Sequence, residues 1–397
     1  MNKDATMRPG WMLAAAGTVI LAAGCVDVRV GPDAAGDRSS EQQAVSDNAA
    51  SFGTGGGLKE TAEQIARIAT GITLGATHGA VFHAYDTLAL PGEPIDLTVR
   101  LRRAETLQSV AGATIAYTLE SAPADPNAPP SVPDRPRPLG KAVTNAQGYA
   151  SIRYTPAVAG DTVVTASIQA VADTAGESML EVSAARLLVA ARPKEAELIV
   201  VDLDHTLVAS GFHTVLLGSA RPMADSQRVL GEIARGHTVV YLTHRPDLLA
   251  VRSKRWLSDH RYPPGPVLMG NVSGLLAGSG PFKSARLSDL RRVYPNIRLG
   301  IGDKVSDARS YADNGIAAYL IPHLPDKPKT LRQLAREIRR LPETVQVVHN
   351  WRELRDGVMA GRRYPPKRLA QWLIRRARRL EASQDEEDDD RDEQDDD

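Results

Sequence analysis

With 397 residues, 42% of them apolar and 24% charged, the chain can bury a sizeable core and is long enough for two domains. Its 48 Lys and Arg match 48 Asp and Glu, yet outside residues 1–24 and 381–397 there remain 45 bases against 35 acids, a body of net +10. Such a body suits anionic partners or reflects ordinary surface solubilisation against a compensating tail, and no nucleic-acid partner is expected. The lone cysteine, Cys25, excludes an intrachain disulfide.

Lys3 and Arg8 give the chain a positive start, Trp11–Ala23 is a short apolar stretch, and Leu21-Ala22-Ala23-Gly24-Cys25 ends it with small residues. An apolar run this short reads as a signal-peptide core rather than a membrane span. Residues 1–24 resemble a bacterial lipoprotein signal, which implies cleavage before Cys25 and lipid on that residue. An ordinary cleaved signal or an uncleaved anchor is the alternative. Lipidation would place the remainder in the cell envelope of a bacterium, extracytoplasmic and held to the outer membrane. Residues 25–78, with Gly31-Pro32, Ser39-Ser40 and Gly55-Gly56-Gly57, read as a flexible tether in which Leu58–Ile72 has helix-like spacing.

Over residues 79–192 the pattern changes to short β-type runs: Ile95–Leu101, Ala113–Leu119, Ala142–Thr144, Ala150–Tyr154, Thr162–Ile168 and Ser178–Val189. Turn residues Gln147-Gly148 and Ala159-Gly160-Asp161 and a Pro-rich loop, Ser121–Pro138, separate them, and the spacing predicts an all-β sandwich. Leu139-Gly140-Lys141-Ala142, Asn145-Ala146-Gln147-Gly148-Tyr149 and Tyr154-Thr155-Pro156 resemble bacterial immunoglobulin-like repeats. No catalytic constellation is visible here. His78, His83 and Asp86 read as solvated or satisfied structural groups rather than metal ligands, so the segment is expected to be a spacer or a binding module for a protein or surface partner.

Residues 195–348 alternate strands with helices, which predicts a doubly wound, mostly parallel, Rossmann-like α/β sheet. Leu198-Ile199-Val200-Val201 is a buried-type strand running into Asp202-Leu203-Asp204-His205-Thr206, and open α/β sheets bind their ligands at the carboxyl ends of strands. Thr238–Thr243 is a second strand ending in a hydroxyl, Phe282-Lys283 opens a helix, and Ile297–Gly302 is a strand ending in Asp303-Lys304-Val305-Ser306-Asp307. Each has a bland reading: Thr243 as a strand-end hydroxyl, Lys283 as a surface charge, Asp303 as a helix cap and Asp307 as a first-turn acid. Thr206 and Thr243 are 37 positions apart and Thr243 and Lys283 are 40 apart, intervals the sheet's own elements consume, so no large cap domain fits.

The order of acidic pair, Thr, Lys and acidic pair over roughly 197–348 resembles the haloacid dehalogenase superfamily of aspartate-nucleophile phosphatases. Thr243-His244-Arg245-Pro246-Asp247, Trp256-Leu257-Ser258, Tyr262-Pro263-Pro264 and Tyr294-Pro295-Asn296 are similar to the lipin-type phosphatidate phosphatase domain and to the related LNS2-like C-terminal domain of phosphatidylinositol transfer proteins. This resemblance implies Asp202 as nucleophile, Asp204 as acid and base, Thr243 as a phosphoryl hydrogen-bond donor and Lys283 as a neutralising cation. It also implies Mg²⁺ held by Asp202, by Asp204 through its backbone carbonyl, by Asp303 and, through water, by Asp307. His244 and Arg245 sit beside the phosphate site and either contact substrate or pack and cap the following helix. Two positions depart from lipins: His205 stands where they usually have Gly, and Gly302-Asp303 replaces an Asn-bearing version.

Residues 349–380 read as a basic helical extension, with Leu369, Trp372, Leu373, Ala377 and Leu380 on one face. That face either packs on the domain or meets an anionic membrane. Residues 381–397 read as an acidic disordered tail. The expected function is an exported, membrane-anchored, Mg²⁺-dependent phosphatase of phosphatidate or a related phosphomonoester. The alternatives are a phospholipid-headgroup binding module without turnover and an adhesive lipoprotein.

Overall fold

A computed structural model describes residues 80–104, 106–120, 137–171, 184–209, 220–270 and 279–392, without the side chains of 384–392. The signal segment 1–24, Cys25, the tether 25–78 and most of the Ser121–Pro138 loop lie outside the described residues.

Among the described residues, eight strands form the first unit: β1 (Ala80–Ala84), β2 (Thr87–Ala89), β3 (Ile95–Arg103), β4 (Thr114–Leu119), β5 (Arg137–Val143), β6 (Tyr149–Tyr154), β7 (Gly160–Ala170) and β8 (Ala185–Ala191). They pair as two sheets, β1-β3-β6 and β2-β8-β7-β4-β5, antiparallel throughout except for β2 on β8. Side chains of a strand alternate between faces, so Leu97, Val99 and Leu101 of one sheet meet Ile115, Tyr117, Val164 and Leu187 of the other in a common core. A sandwich results. β1 and β2 escape sequence reading because strands of five and three residues carry too little alternation.

The second unit holds β9 (Leu198–Val201), α1 (Ser226–Ala234), β10 (Thr238–Pro246), a 3₁₀ turn (Asp247–Leu249), α2 (Ala250–Asp259), β11 (Val267–Gly270) and α3 (Ser279–Val293). β12 (Ile297–Gly302), α4 (Val305–Asp313), β13 (Ala317–Leu320), α5 (Pro328–Arg339), β14 (Val345–Val347), α6 (Trp351–Ala360) and α7 (Pro366–Asp392) follow. The six strands among the described residues run parallel in the order β11-β10-β9-β12-β13-β14. β9 is continuously apolar because both its faces are covered. Ile199 and Val201 pack with α1, α2 and α6, while Leu198 and Val200 pack with α3, α4, α5 and α7.

Chain order moves outward from β9 to β11 on one side and then crosses to β12 on the other. The carboxyl ends of β9 and β12 therefore flank the switch point where such sheets open a crevice.

The C-terminal region is part of this unit rather than an extension from it. Leu369, Ala370, Leu373 and Ala377 are buried against α5 and the sheet, which consumes the face that would meet a membrane. α7 also runs on to Asp392, where the acidic composition predicts disorder; Glu381 pairs with Arg332 of α5 and ties the helix down beyond Leu380. Among the described residues no helix is long and apolar enough to cross a membrane.

Candidate active site

Asp202 leaves β9 with its N–H still bonded to the Ile301 carbonyl at 2.9 Å, which fixes its backbone beside the end of β12. The chain then turns sharply: the Leu203 carbonyl accepts from the N–H groups of Leu207 (2.9 Å) and Val208 (3.0 Å). His205 is thereby forced to φ +55°, a left-handed value that favours glycine and accounts for the glycine its lipin counterparts carry there. Trp351 Nε1 donates to the Thr206 carbonyl at 2.9 Å and Tyr262 Oη to that of Leu207 at 3.1 Å, so α6 and the segment after α2 pin the turn.

Lys283, on α3, reaches the same point from the opposite face of the sheet. Its Nζ lies 3.0 Å from Asp202 Oδ1 and 2.8 Å from Asp307 Oδ2, and all three groups are buried. Asp307 Oδ2 thus has the ammonium beside it, while Asp307 Oδ1 and Asp303 Oδ1 find no hydrogen-bond partner. Asp307 sits in the first turn of α4 against Gly302, where a Cβ would come within 2.9 Å of the aspartate's Cβ and Oδ2. Only glycine lets β12 end that close to the carboxylate.

Carboxylate oxygens of Asp202, Asp303 and Asp307 all lie within 4.8 Å of one another. Three carboxylates against one ammonium leave an excess of negative charge in a dry place. Burial, with Asp307 and Asp204 adding and Lys283 opposing, pushes Asp202 up to about 6. Burial together with Asp202 and Asp307 pushes Asp303 up to about 8. For Lys283, burial pulls downward, but Asp202 and Asp307 outweigh it and hold the ammonium above its ordinary value. Hard oxygen donors, unsatisfied and over-charged, fit a divalent cation such as Mg²⁺.

The other expected residues divide. Thr243, at the carboxyl half of β10 beside β9, is buried, and its Oγ1 accepts the Arg245 N–H at 3.3 Å. The Asp204 side chain is outside the acidic cluster. Arg245 holds it, donating through Nε at 3.0 Å and Nη2 at 2.6 Å, while Nη1 donates to Ser253 Oγ on α2 at 2.9 Å. Arg245 is therefore buried and engaged by the protein on every side-chain nitrogen, as in the packed alternative for this residue. His244 packs its ring 5.4 Å from that of Phe282, next to Lys283. A groove of about 450 Å³ runs beside Asp303, lined by Lys304, Ser306, Arg309, His323 and Glu337. Ser253 and Trp351 carry no motif-level signal: one is a serine inside a helix and the other an aromatic in a distant segment, and only the fold brings them in.

Residues 199–321 match the family model described as the LNS2 domain of PITM 1-3. No curated protein matches the chain. Among solved structures, the D00-D0 domain of Intimin is 21% identical over 28% of this chain and 45% of its own, at TM-score 0.19. The Pnkp1/Rnl/Hen1 RNA repair complex is 13% identical over 33% and 44%, at TM-score 0.28. A glycosyl hydrolase family 2 member from Bacteroides cellulosilyticus DSM 14838 is 10% identical over 68% and 36%, at TM-score 0.23. The chain spans less than half the length of each of these three, and overlaps at such TM-scores carry no argument. The segment that supplies Asp202, Asp204, Thr243, Lys283, Asp303 and Asp307 is LNS2-like.

Proposed function

We propose that the chain is an exported, membrane-anchored, Mg²⁺-dependent phosphatase that works through an aspartyl-phosphate, with phosphatidate or a related phosphomonoester as the favoured substrate. The observation that carries this reading is the buried Asp202 carboxylate at the sheet's switch point, paired with Lys283 at 3.0 Å and flanked by Asp303 and Asp307. A phosphate monoester dianion repels a carboxylate nucleophile, so the site has to supply positive charge where they meet. Mg²⁺, held by Asp202, Asp303 and Asp307 with the Asp204 carbonyl, would supply most of it.

In the first step Asp202 attacks phosphorus, the ester P–O bond breaks, and Asp204 gives the departing oxygen its proton. In the second, Asp204 takes a proton from water as the water oxygen attacks phosphorus; the bond to Asp202 breaks and inorganic phosphate leaves. Lys283 offsets the charge of Asp202 throughout, and the Thr243 hydroxyl donates to a phosphoryl oxygen. The groove beside Asp303, lined by Lys304, Arg309, His323 and Glu337, would take the rest of the headgroup. Export and anchoring rest on the signal-like segment ending at Cys25, and lipid labelling lost in Cys25→Ser would support them.

A second reading, headgroup binding without turnover, is favoured by the match to the transfer-protein version of the domain. The presence of Asp202 argues for the enzyme. The test is phosphate release from phosphatidate micelles, soluble phosphomonoesters and sugar phosphates, with Mg²⁺ or EDTA. Metal-dependent release that falls at least about 10³-fold in Asp202→Asn establishes the nucleophile. Binding of phosphatidate vesicles with no release from any substrate establishes the second reading instead.

A further inference from the structure

Two carboxylates cross the boundary between the sandwich and the α/β unit in opposite directions. Asp247, in the 3₁₀ turn that follows Arg245-Pro246, is buried among sandwich residues. It accepts from Tyr85 Oη at 2.6 Å, from Arg102 through Nη1 at 3.1 Å and Nη2 at 3.3 Å, and from Arg100 Nη1 at 3.3 Å. His83 Nε2 lies 3.4 Å away. In the other direction Asp86 of the sandwich accepts from Lys254 Nζ of α2 at 2.5 Å and from the Val267 N–H of β11 at 2.9 Å. Lys254 spends its remaining donors on the carbonyls of Ala84 (3.2 Å) and Arg186 (3.1 Å), both in the sandwich.

Contacts between domains of one chain are usually polar, hydrated and adjustable. This one is dry: His83, Asp86, Arg102, Asp247 and Lys254 are all buried. Buried ion pairs give little net stability over apolar packing, while removing one partner is costly, so such a network fixes geometry more than it adds energy. The geometry it fixes is that of the candidate site. Asp247 is two residues beyond Arg245. Lys254 adjoins Ser253, which holds one Arg245 nitrogen, and the other two nitrogens hold Asp204.

We infer that the sandwich is a positioning element of the active site: its grip on Asp247 and Lys254 fixes the segment Arg245–Lys254, and through it the Arg245 guanidinium that orients Asp204. This rests on the phosphatase reading. His83 and Asp86 thus belong to a domain boundary, and the sandwich is more than a spacer.

The test uses the full chain with Tyr85→Phe, Arg102→Lys and Arg102→Ala. Each variant is followed by Mg²⁺-dependent turnover, by the Mg²⁺-induced rise in melting temperature, and by the Arg245 Nε–H nuclear magnetic resonance signal, assigned by its absence in Arg245→Lys. Displacing a catalytic group by an ångström from a distance costs up to about 100-fold in rate. Arg102→Ala should therefore lower kcat roughly tenfold or more with KM changed little, and Arg102→Lys should recover part of the loss. The Arg245 signal should move in Arg102→Ala and, to a smaller extent, in Tyr85→Phe. The Mg²⁺-induced rise should persist, because the acidic cluster sits on other elements. An Arg245 signal unchanged in folded Tyr85→Phe and Arg102→Lys overturns the inference, as does a kcat loss that only tracks loss of the Mg²⁺ response. A wild-type chain without turnover, in which the variants still shift the Arg245 signal, sinks the phosphatase reading and leaves the positioning intact.

Discussion

Lys283→Met isolates the electrostatics of the site from its chemistry. The ammonium sits 3.0 Å from Asp202 and 2.8 Å from Asp307, and without it three buried carboxylates lie within 4.8 Å of one another with no cation among them. Removing one partner of a buried pair costs about 3–5 kcal/mol. For a unit of this size each kcal/mol moves the melting temperature by roughly 2–4 °C, so the metal-free variant should melt roughly 6–20 °C below wild type at pH 8. The carboxylates can answer by binding protons, since burial already lifts Asp202 to about 6 and Asp303 to about 8 against the pull of Lys283. The deficit should therefore shrink at pH 5. It should also shrink with Mg²⁺, which the more negative cluster binds more tightly; saturation at 100 times the dissociation constant adds about 2.7 kcal/mol. Calorimetry at the two pH values, in EDTA and in Mg²⁺, reads all of this. A metal-free variant that melts with wild type at pH 8, or one whose response to Mg²⁺ is no larger than that of wild type, would refute the reasoning.

Because Asp202 and Asp303 have folded values above the ordinary 3.8, the metal-free fold holds more protons than the unfolded chain across that interval. These two groups therefore make it less stable as pH rises from about 4 towards 8. Mg²⁺ has to displace the same protons, so its affinity should rise with pH through that range, and titration calorimetry in buffers of different ionisation enthalpy should count the protons released. Gly302→Ala forces a Cβ to within 2.9 Å of Asp307 and should cost about 1–3 kcal/mol, with a weakened Mg²⁺ response in thermal melts. His205→Gly relieves a left-handed backbone at φ +55° and should raise stability by about 0.5–1 kcal/mol in denaturant titrations, where a fall would mean that the imidazole contributes more than the strain removes.

Much of the α/β unit is legible in the sequence because its strands carry two signals at once. Leu198–Val201 is apolar on both faces and ends in acid, and that combination marks both a central parallel strand and a ligand-binding end. The order Asp202, Thr243, Lys283, Asp303, Asp307 is likewise visible, since each residue falls at the carboxyl end of a strand or near the start of a helix. What the sequence leaves hidden depends on side chains that meet across long separations. The Arg245 guanidinium looks like a free anion-binding group until Asp204 and Ser253 are placed around it. The Asp247 clamp joins residues about 145 to 162 positions apart, and no local pattern encodes such a contact.

The chemistry of the boundary sets how it responds to different insults. If the two units separate, Asp247, Arg102, Asp86 and Lys254 all return to water together, and the solvation regained offsets much of the ion-pair energy given up. If the units stay together but shift by the length of one hydrogen bond, the same groups remain dry and lose their partners, which is the expensive outcome for a buried charge. A boundary built this way resists slipping more than it resists opening. An apolar interface of equal size would hold the units together more firmly but would tolerate small rotations, because dispersion contacts are non-directional. Where the need is to keep Arg245 aligned on Asp204 to within a fraction of an ångström, directional contacts at Asp247 and Lys254 serve better than a larger greasy patch would.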